Sequence, residues 1–257
     1  MKLLVCIKQV PDMEVKFKVN AVGDGYALED LAWRMNEYDE YAVEQAVQLK
    51  EQQGDSELTV LCIGAERVQE TMKKALAMGC DRGLHIYDDQ SHQKDPYAIA
   101  SLIVQHARDQ QYDLIFTGLQ SQDRGSAQVG VMVAEQLGLP CLTTLVDFRY
   151  EDGRIYGKRE LEGGSKALVS CATPALVSCQ LGLNTPRYPT LPNIMKAKKK
   201  ELLSIPVAEL QPAAVRLKTL SVTLPEKKGS GLILEGEPAD LAAQLIRILK
   251  DKTSVLA

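Results

Sequence analysis

The sequence predicts an α/β protein with a parallel sheet, a β-rich insertion and an extended carboxy-terminal arm that ends in a helix. Three observations support this prediction. Strand-like and helix-like periods alternate before Pro140, alternating β-type runs follow it, and one amphipathic stretch lies alone near the end. Regular alternation of strands and helices is typical of a parallel sheet that is covered by helices on both faces.

Four strand–helix pairs make up the alternating region. Short apolar runs predict strands at residues 3–8, 57–63, 84–87 and 113–118, and amphipathic stretches predict helices at 40–53, 65–78, 96–109 and 126–137. Asn36 and Asp39 resemble a capping pair in front of the first helix, while Gly79 and Gly138 close two later helices. Ligands of such sheets bind beyond the carboxyl ends of the strands, at a switch point. The candidate ligand loops are therefore 9–13, 64–67 and 118–125, with the turn 36–39 nearby.

The pattern changes after Pro140. Alternating runs at 142–150 and 154–161 are joined by Glu151-Asp152-Gly153, which indicates a hairpin, and β character continues at 166–170 and 175–180. Residues 185–192 contain three prolines and are predicted to form a loop, 204–225 an extended segment, and 229–236 a flexible link. A final helix is predicted at 238–250, with one apolar stripe formed by Leu241, Leu245, Ile248 and Leu249. The residues around this helix offer little hydrophobic core against which the stripe could pack. The helix is therefore expected either to fold back on the domain or to dock on another chain.

Composition excludes several classes of function. The chain has 257 residues with 45% hydrophobic residues and a net charge of -4, which argues against a general nucleic-acid binder. No apolar run is long enough for a signal segment or a membrane span, so we expect a soluble, cytoplasmic protein without direct membrane insertion. The six cysteines form no CxxC pair and are expected to be buried and reduced, and the three histidines lack the spacing of metal ligands.

Residues 118–130 are the best candidate for a nucleotide or phosphate cradle. They follow a predicted strand, open a helix and combine small residues with amides and hydroxyls, and Ser126 is placed to cap the helix. The segment contains neither a Walker motif nor GxGxxG, so an ordinary polar loop remains the alternative. No Ser/His/Asp set and no paired carboxylates in an apolar setting are evident, so we predict no catalytic residue.

Residues 187–200 combine apolar side chains with prolines and a basic run. Leu191, Ile194 and Met195 lie in a predicted exposed loop, directly before the lysines of 196–200. Apolar residues with a charged rim suit a protein–protein contact, and lysines steer acidic partners. A solvated basic turn is the alternative.

Longer strings resemble the β-subunit family of electron transfer flavoproteins. The most specific is LNTPRY at 183–188, which runs into TLPNIMKAKKK at 190–200. Residues 157–178 resemble the family signature, although Lys166-Ala167 stands where an acidic or amide residue is usual. Residues 5–12, Asn36 with 42–44, and 75–79 match as well, so the resemblance covers nearly the whole chain.

The resemblance implies a Rossmann-like domain of the adenine nucleotide α-hydrolase-like type, with AMP bound as a structural nucleotide. It also implies a heterodimer with an α subunit, which holds most of the contacts to FAD. The positions that match the nucleotide site are Cys6, Asn36, Asp39, Ile63, Gly64, Ser121, Gln122, Asp123, Arg124, Gly125, Ser126, Ala127, Gln128, Val129, Gly130 and Met132. Tyr38 stands where the family places an aromatic residue near the flavin, and Met13 stands where some members have tyrosine.

The resemblance further implies an electron carrier rather than an enzyme. Electrons would arrive from flavin dehydrogenases, typically acyl-CoA dehydrogenases of fatty acid oxidation, and leave to a membrane ETF-quinone oxidoreductase. The positions that match the dehydrogenase recognition loop are Thr190, Leu191, Pro192, Asn193, Ile194 and Met195, with Leu191 as the apolar anchor. The chain would divide into a nucleotide-binding domain with the β-hairpin region at 1–185, a recognition loop at 186–200, and an arm and helix at 201–257 that dock on the α subunit.

Two other functions remain open at this point. Family members that bifurcate electrons from NADH carry a second FAD in the β pocket, and Ala127-Gln128-Val129 replaces a more polar run at this place. The recognition loop favours the non-bifurcating group. A nucleotide-hydrolysing or universal-stress-type enzyme on a similar sheet is disfavoured by the missing phosphate-loop motif.

Overall fold

A computed structural model of the chain describes residues 1–29, 31–225 and 231–253. They belong to two compact units, Met1–Ser221 and Val222–Ala257. The first unit is built on a nine-stranded sheet in the order β11-β5-β4-β1-β6-β10-β7-β8-β9. Its strands are β1 Lys2–Ile7, β4 Glu57–Gly64, β5 Arg82–Tyr87, β6 Leu114–Gly118, β7 Cys141–Glu151, β8 Arg154–Glu160, β9 Lys166–Ala172, β10 Ala175–Cys179 and β11 Leu202–Pro206. A small antiparallel ribbon pairs β2 Gln9–Pro11 with β3 Trp33–Met35.

The sheet is parallel from β11 to β7 and antiparallel from β7 to β9. The chain runs outward from β1 through β4 to β5, and then returns to place β6 on the other side of β1. This reversal is the switch point of the sheet, and it lies between β1 and β6. Ligand sites of open parallel sheets occur at such points, because the loops diverge there and leave a crevice. The α/β fold expected from the sequence is therefore confirmed.

Helices cover both faces of the sheet. The helices of the first unit are α1 Glu37–Gln53, α2 Val68–Met78, α3 Pro96–Ala107, α4 Val129–Leu137 and α5 Leu191–Ala197. Alternate residues of β1 enter different cores, because successive side chains of a strand point to opposite faces. Leu3 and Val5 pack with α1 and α2, whereas Leu4 packs with α3 and α4.

Two helix starts differ from the sequence prediction. The first helix begins at Glu37, and the Asn36 side chain makes no capping bond, because its amide binds the loop after β6 instead. The fourth helix begins at Val129 and not at Ser126, so Ser126 does not cap it. Gly125 and Ala127 have φ angles of 59° and 51°, and such left-handed backbone interrupts a helix.

Two segments are more regular in the structure than the sequence indicated. Residues 191–192, assigned to a proline-rich loop, begin α5, where the Thr190 hydroxyl accepts the Asn193 N–H at 3.4 Å. Pro192 is tolerated because the first helical turn has N–H groups without partners. The start of the predicted extended segment 204–225 belongs to β11, which pairs with β5 in parallel. The side chains of Leu202 and Ile205 pack against the two hydrophobic cores on opposite faces of the sheet, and this packing stabilises the edge strand.

The second unit contains the helix α6 Pro238–Lys252, which confirms the predicted final helix. Within its apolar stripe Leu245 is exposed, whereas Leu241, Ile248 and Leu249 are half-buried. Part of the predicted link 229–236 lies outside the described residues. None of the helices in the described ranges has the length and apolar character needed to cross a membrane.

Candidate functional site

A cleft opens at the carboxyl ends of β1, β4 and β6, at the switch point of the sheet. It is lined by most of the residues that the sequence nominated for a nucleotide: Cys6, Asn36, Asp39, Ile63, Gly64, Ser121, Asp123, Arg124, Ser126, Ala127, Gln128, Val129 and Gly130. One wall is apolar and includes Leu61, Ile99 and Ile103. The polar loop between β6 and α4 lines the cleft as well, so the cleft offers both an apolar surface and hydrogen-bonding groups.

Asp39 joins the two strands on either side of the switch point. Its carboxylate accepts the N–H of Lys8 at 2.7 Å and the N–H of Gly118 at 3.2 Å. The side chain is buried, and burial raises its pKa from 3.8 to about 7 even though both amides favour the ionised form. Asp39 therefore fixes the ends of β1 and β6 at the floor of the cleft.

Asn36 holds the polar loop from the same helix start. Its Nδ2 donates to the carbonyl of Gln120 at 2.8 Å, and its Oδ1 accepts the N–H of Gln122 at 3.0 Å. A buried amide that binds backbone on both of its ends fixes the loop conformation, because breaking either bond leaves a buried polar group unpaired. The loop is thus shaped by a residue more than eighty positions away in the sequence.

Lys8 was not predicted from the sequence, yet it lines the cleft. Its Nζ lies 2.7 Å from both carboxylate oxygens of Asp123 and 3.2 Å from the Ser121 hydroxyl. Burial lowers the pKa of Lys8, and the neighbouring Asp123 carboxylate counteracts part of that shift. The ion pair between Lys8 and Asp123 connects the polar loop to the end of β1. In this pair the Asp123 carboxylate balances the positive charge of Lys8 beside the loop.

Two glycines that line the cleft leave no room for a larger side chain. A Cβ at Gly130 would lie 2.6 Å from Thr117 Oγ1, and one at Gly118 would lie 2.2 Å from Asp39 Oδ1. Thr117 Oγ1 is buried and has no hydrogen-bond partner. Because buried hydroxyls are nearly always paired, this atom is suited to a ligand that enters the cleft.

The start of α4 also presents unpaired donors to the cleft. Gln128 precedes the helix and makes no side-chain capping bond, so the first N–H groups of α4 are not satisfied by a cap. Such groups, together with the helix dipole, favour an anion. Together with the apolar residues that line the same cleft, these N–H groups suit a ligand that combines an apolar part with an anionic group.

Arg124 connects the polar loop with the loop after β5. Its guanidinium donates to the carbonyl of Lys94 at 2.9 Å and to the carbonyl of His92. Tyr26 and Leu28 of the segment between β2 and β3, and Trp33 at the start of β3, line the cleft as well. These residues were missed because they are adjacent to the site only in the folded chain.

Four predicted nucleotide or flavin residues do not line the cleft. Tyr38 accepts a hydrogen bond from Gln120 Nε2 at 3.2 Å, and Gln122 Nε2 donates to Glu37 at 2.8 Å. Gly125 is exposed and forms a turn with positive φ, while Met132 packs against the core between α3, α4 and the sheet. Gln122 and Gly125 therefore contribute to the conformation of the polar loop. Met132 anchors α4 by packing against the core.

No reactive thiol or metal cluster is found in the part of the chain that the structure describes. Burial raises the pKa of Cys62 and Cys80 to about 12, and it raises that of Cys6, so these thiols remain protonated. The described residues include no group of three His, Cys, Asp or Glu side chains that could hold a metal ion.

A second surface is formed by α5 and the residues before it. Leu191 is 79% exposed, and Tyr188, Ile194 and Met195 are exposed too, whereas Ala197 is buried. The nominated residues Thr190, Pro192 and Asn193 form the capped first turn of α5. The apolar side chains therefore project from a short helix and not from a loop.

Comparison with known proteins relates the whole chain to one family. The model of the electron transfer flavoprotein domain matches residues 25–210. Electron transfer flavoprotein subunit beta of Bacillus subtilis is 38% identical, and that of Bradyrhizobium diazoefficiens 37%, each over 100% of both chains. The protein of the same name from Sus scrofa is 36% identical over 96% of this chain and 98% of its own. The chain belongs to the β-subunit family of electron transfer flavoproteins.

Proposed function

We propose that this chain is the β half of a heterodimeric electron transfer flavoprotein and catalyses no bond chemistry of its own. The observation that carries the proposal is the full-length match to β subunits from both bacteria and a mammal. In this role the heterodimer receives electrons from flavin dehydrogenases of the acyl-CoA type and passes them to a membrane quinone oxidoreductase. The non-bifurcating type and a cytoplasmic location are part of the proposal.

The cleft is proposed to bind AMP as a structural nucleotide. The unpaired Thr117 hydroxyl and the uncapped start of α4 support this assignment, because they supply a hydrogen-bond partner and an anion site. Ile63 and the apolar wall suit an adenine ring, while Ser126 to Gly130 suit the phosphate. Asn36 and Asp39 keep the polar loop in place around the ligand.

FAD is proposed to lie mainly on the α subunit, with Tyr38 of this chain beside it. The flavin supplies the capacity to accept and release electrons when it is bound. Tyr38 is half-buried, and its hydroxyl is held by Gln120, so the same loop that forms the nucleotide cleft also fixes this aromatic ring. The chain thereby completes the flavin site by positioning a side chain.

The α5 surface is proposed to dock the dehydrogenase, and the arm is proposed to dock the α subunit. The exposed Leu191 and the lysines that follow support the first role. The exposed apolar residues of the second unit, among them Leu232 and Ile233, support the second. The division of the chain at residues 185 and 200 remains a prediction.

Co-expression with an α subunit tests the proposal. We expect a yellow heterodimer with one FAD, and acid release followed by chromatography is expected to yield one AMP. A colourless, stable monomer that binds no α chain would overturn the proposed function. Two FAD molecules per heterodimer and reduction by NADH would instead assign the chain to the bifurcating type.

A further inference from the structure

One arginine ties the segment before α5 to α1. Arg187 Nε and Nη2 donate to the two oxygens of Glu44 at 2.8 and 3.1 Å. Nη1 and Nη2 donate to the two oxygens of Glu51 at 2.6 and 2.9 Å. The backbone N–H of Arg187 donates to Glu44 as well, at 3.1 Å. Forked pairs of this kind fix the plane of a guanidinium, because each carboxylate is bound at two points.

The two carboxylates differ in their exposure to solvent. The Glu44 side chain is 4% exposed, whereas that of Glu51 is 54% exposed. Burial by itself would raise the pKa of Glu44, yet hydrogen bonds from Arg187 hold that pKa below its ordinary value. Glu51 and Glu44 in turn raise the pKa of Arg187. All three charges are therefore present together near neutral pH.

The other end of α5 is fastened to α2. Lys200 Nζ donates to the carbonyl of Leu76 at 2.9 Å and to that of Cys80 at 2.5 Å, where α2 ends. Ala197 is buried in the core that contains α1 and α2. A helix of seven residues is not stable alone, because nucleation is costly. The contacts at both ends therefore determine the orientation of α5.

We propose that Arg187 is a positioning residue for partner docking, because its pairs with Glu44 and Glu51 hold α5 so that Leu191 faces the dehydrogenase in one orientation. This inference rests on the proposed function of the α5 surface. A surface that is ordered before binding loses less conformational entropy when the partner docks, and it binds more tightly for that reason.

The experiment uses the purified α–β heterodimer and the variant Glu51→Gln. This change weakens the exposed pair between Arg187 and Glu51 and leaves Glu44 to neutralise Arg187. The chain is therefore expected to fold. Arg187→Lys, which keeps the charge but loses the fork, provides a second variant. Glu70→Gln is the matched control, because Glu70 is an exposed glutamate that pairs with Lys73 near the start of α2, whereas Lys200 binds the carbonyls at the end of α2.

Two measurements are made on each variant. Hydrogen exchange at the amides of Ile194 and Lys198, which close turns of α5, reports on the order of the helix. The second-order rate of electron uptake from an acyl-CoA dehydrogenase, reduced with its substrate, reports on docking. For Glu51→Gln we expect exchange about twofold to fivefold faster and uptake slower by a similar factor, as for an exposed ion pair. Glu70→Gln should change neither.

A double mutant separates positioning from general stability. If Arg187 acts through Leu191, Glu51→Gln slows uptake in the wild-type background but has little further effect in Leu191→Ala. Additive effects, or unchanged exchange at Ile194 and Lys198 in both variants, would overturn the positioning role. A wild-type heterodimer that takes up no electrons would overturn the docking function itself, independently of the exchange data.

Discussion

A buried carboxylate at the switch point determines how the cleft is closed at its floor. Asp39 accepts the amide N–H groups of Lys8 and Gly118, so these two donors at the strand ends are occupied by the protein itself. The proposed ligand anion is therefore expected at the start of α4, where Gln128 provides no side-chain cap. Because Asp39 occupies the donors at the ends of β1 and β6, the start of α4 is left as the part of the cleft with uncapped N–H groups.

The titration of Asp39 gives a prediction on stability. Its pKa in the folded chain is about 7, against an ordinary value of 3.8. Between these values the folded state retains a proton that the unfolded state has released, so the free energy of unfolding falls as pH rises. One group contributes at most about 1.4 kcal/mol per pH unit. Urea unfolding of the wild type from pH 4 to 7 should show this decline, and Asp39→Asn should reduce it. Parallel curves for the two proteins would contradict the assignment.

Gly130 gives a prediction on nucleotide affinity. In Gly130→Ala the new Cβ meets Thr117 Oγ1 at 2.6 Å and distorts the start of α4. Overpacking of this kind costs about 1–3 kcal/mol, and where the distorted helix start loses the same amount of interaction with the ligand, AMP binding is weakened by about fivefold to 150-fold. Calorimetric titration of AMP into nucleotide-free heterodimer measures the effect. Gly231→Ala is the control, because a Cβ there meets nothing within 4 Å. Equal affinities in the two variants would exclude Gly130 from the site.

At the scale of elements, α5 shows how a short helix can present apolar residues to solvent. Its cap is local, since Thr190 binds the Asn193 amide, but its placement depends on α1 and α2. An ordered helix displays Leu191 and Met195 at fixed separation, which a loop of the same sequence would not do. The fixed arrangement of these exposed apolar side chains therefore results from contacts made at the two ends of α5.

The exposed leucine of α5 can be tested against another exposed leucine. Leu191→Ala is expected to slow electron uptake from an acyl-CoA dehydrogenase by about tenfold or more, as for an apolar residue at the centre of an interface. Flavin content should not change, because Leu191 is exposed and is not one of the residues that line the cleft. Leu168→Ala is the matched control, since Leu168 on β9 is 82% exposed against 79% for Leu191. Unchanged uptake in Leu191→Ala, or loss of flavin, would count against the docking role.

Elements with a strong local pattern could be predicted from the sequence, and those fixed by distant contacts could not. The alternation that gives β1, α1 and β4 is visible in single segments. By contrast, β11 is an edge strand whose partner β5 lies more than a hundred residues earlier, and its alternation is weak. For α5 a signal was present, because Thr190 followed by Pro192 in the first turn indicates a capped helix start.

The same distinction applies to the cleft. Asn36 and Asp39 could be nominated because they match family positions and because their turn was expected near the loops at the carboxyl ends of the strands. Lys8 was missed, because its role depends on Asp123, which lies 115 positions away. Thr117 was missed because it reads as an ordinary strand residue, and only its unpaired buried hydroxyl distinguishes it.

At the scale of the whole molecule, the two units are expected to differ in their dependence on a partner. Met1–Ser221 contains the sheet and both cores, whereas α6 has no buried residue among its described side chains. The first unit therefore has the means to fold by itself, and the second needs a surface to cover its apolar residues.

Deletion of the second unit tests this difference. A chain that ends at Ser221 is expected to keep its thermal unfolding temperature within a few degrees, because both cores remain. It should lose stable association with the α subunit, as measured by co-purification and FAD content. Leu245→Ser and Ile248→Ser in the full-length chain provide a milder version of the same change. A truncated chain that still forms a yellow heterodimer would show that the arm is not needed for assembly.

The central position of β1 in the sheet also affects how long a newly synthesised chain is exposed to aggregation. During synthesis β1 leaves the ribosome before its neighbours β4 and β6. The sheet can therefore form outward from β1. The outer edge of β5, however, has no neighbour until Leu202–Pro206 has been synthesised. Unpaired strand edges are templates for pairing with other chains. The last strand of the sheet therefore serves as a cover, and a nascent chain carries an open, aggregation-prone edge until almost all of the first unit has been made.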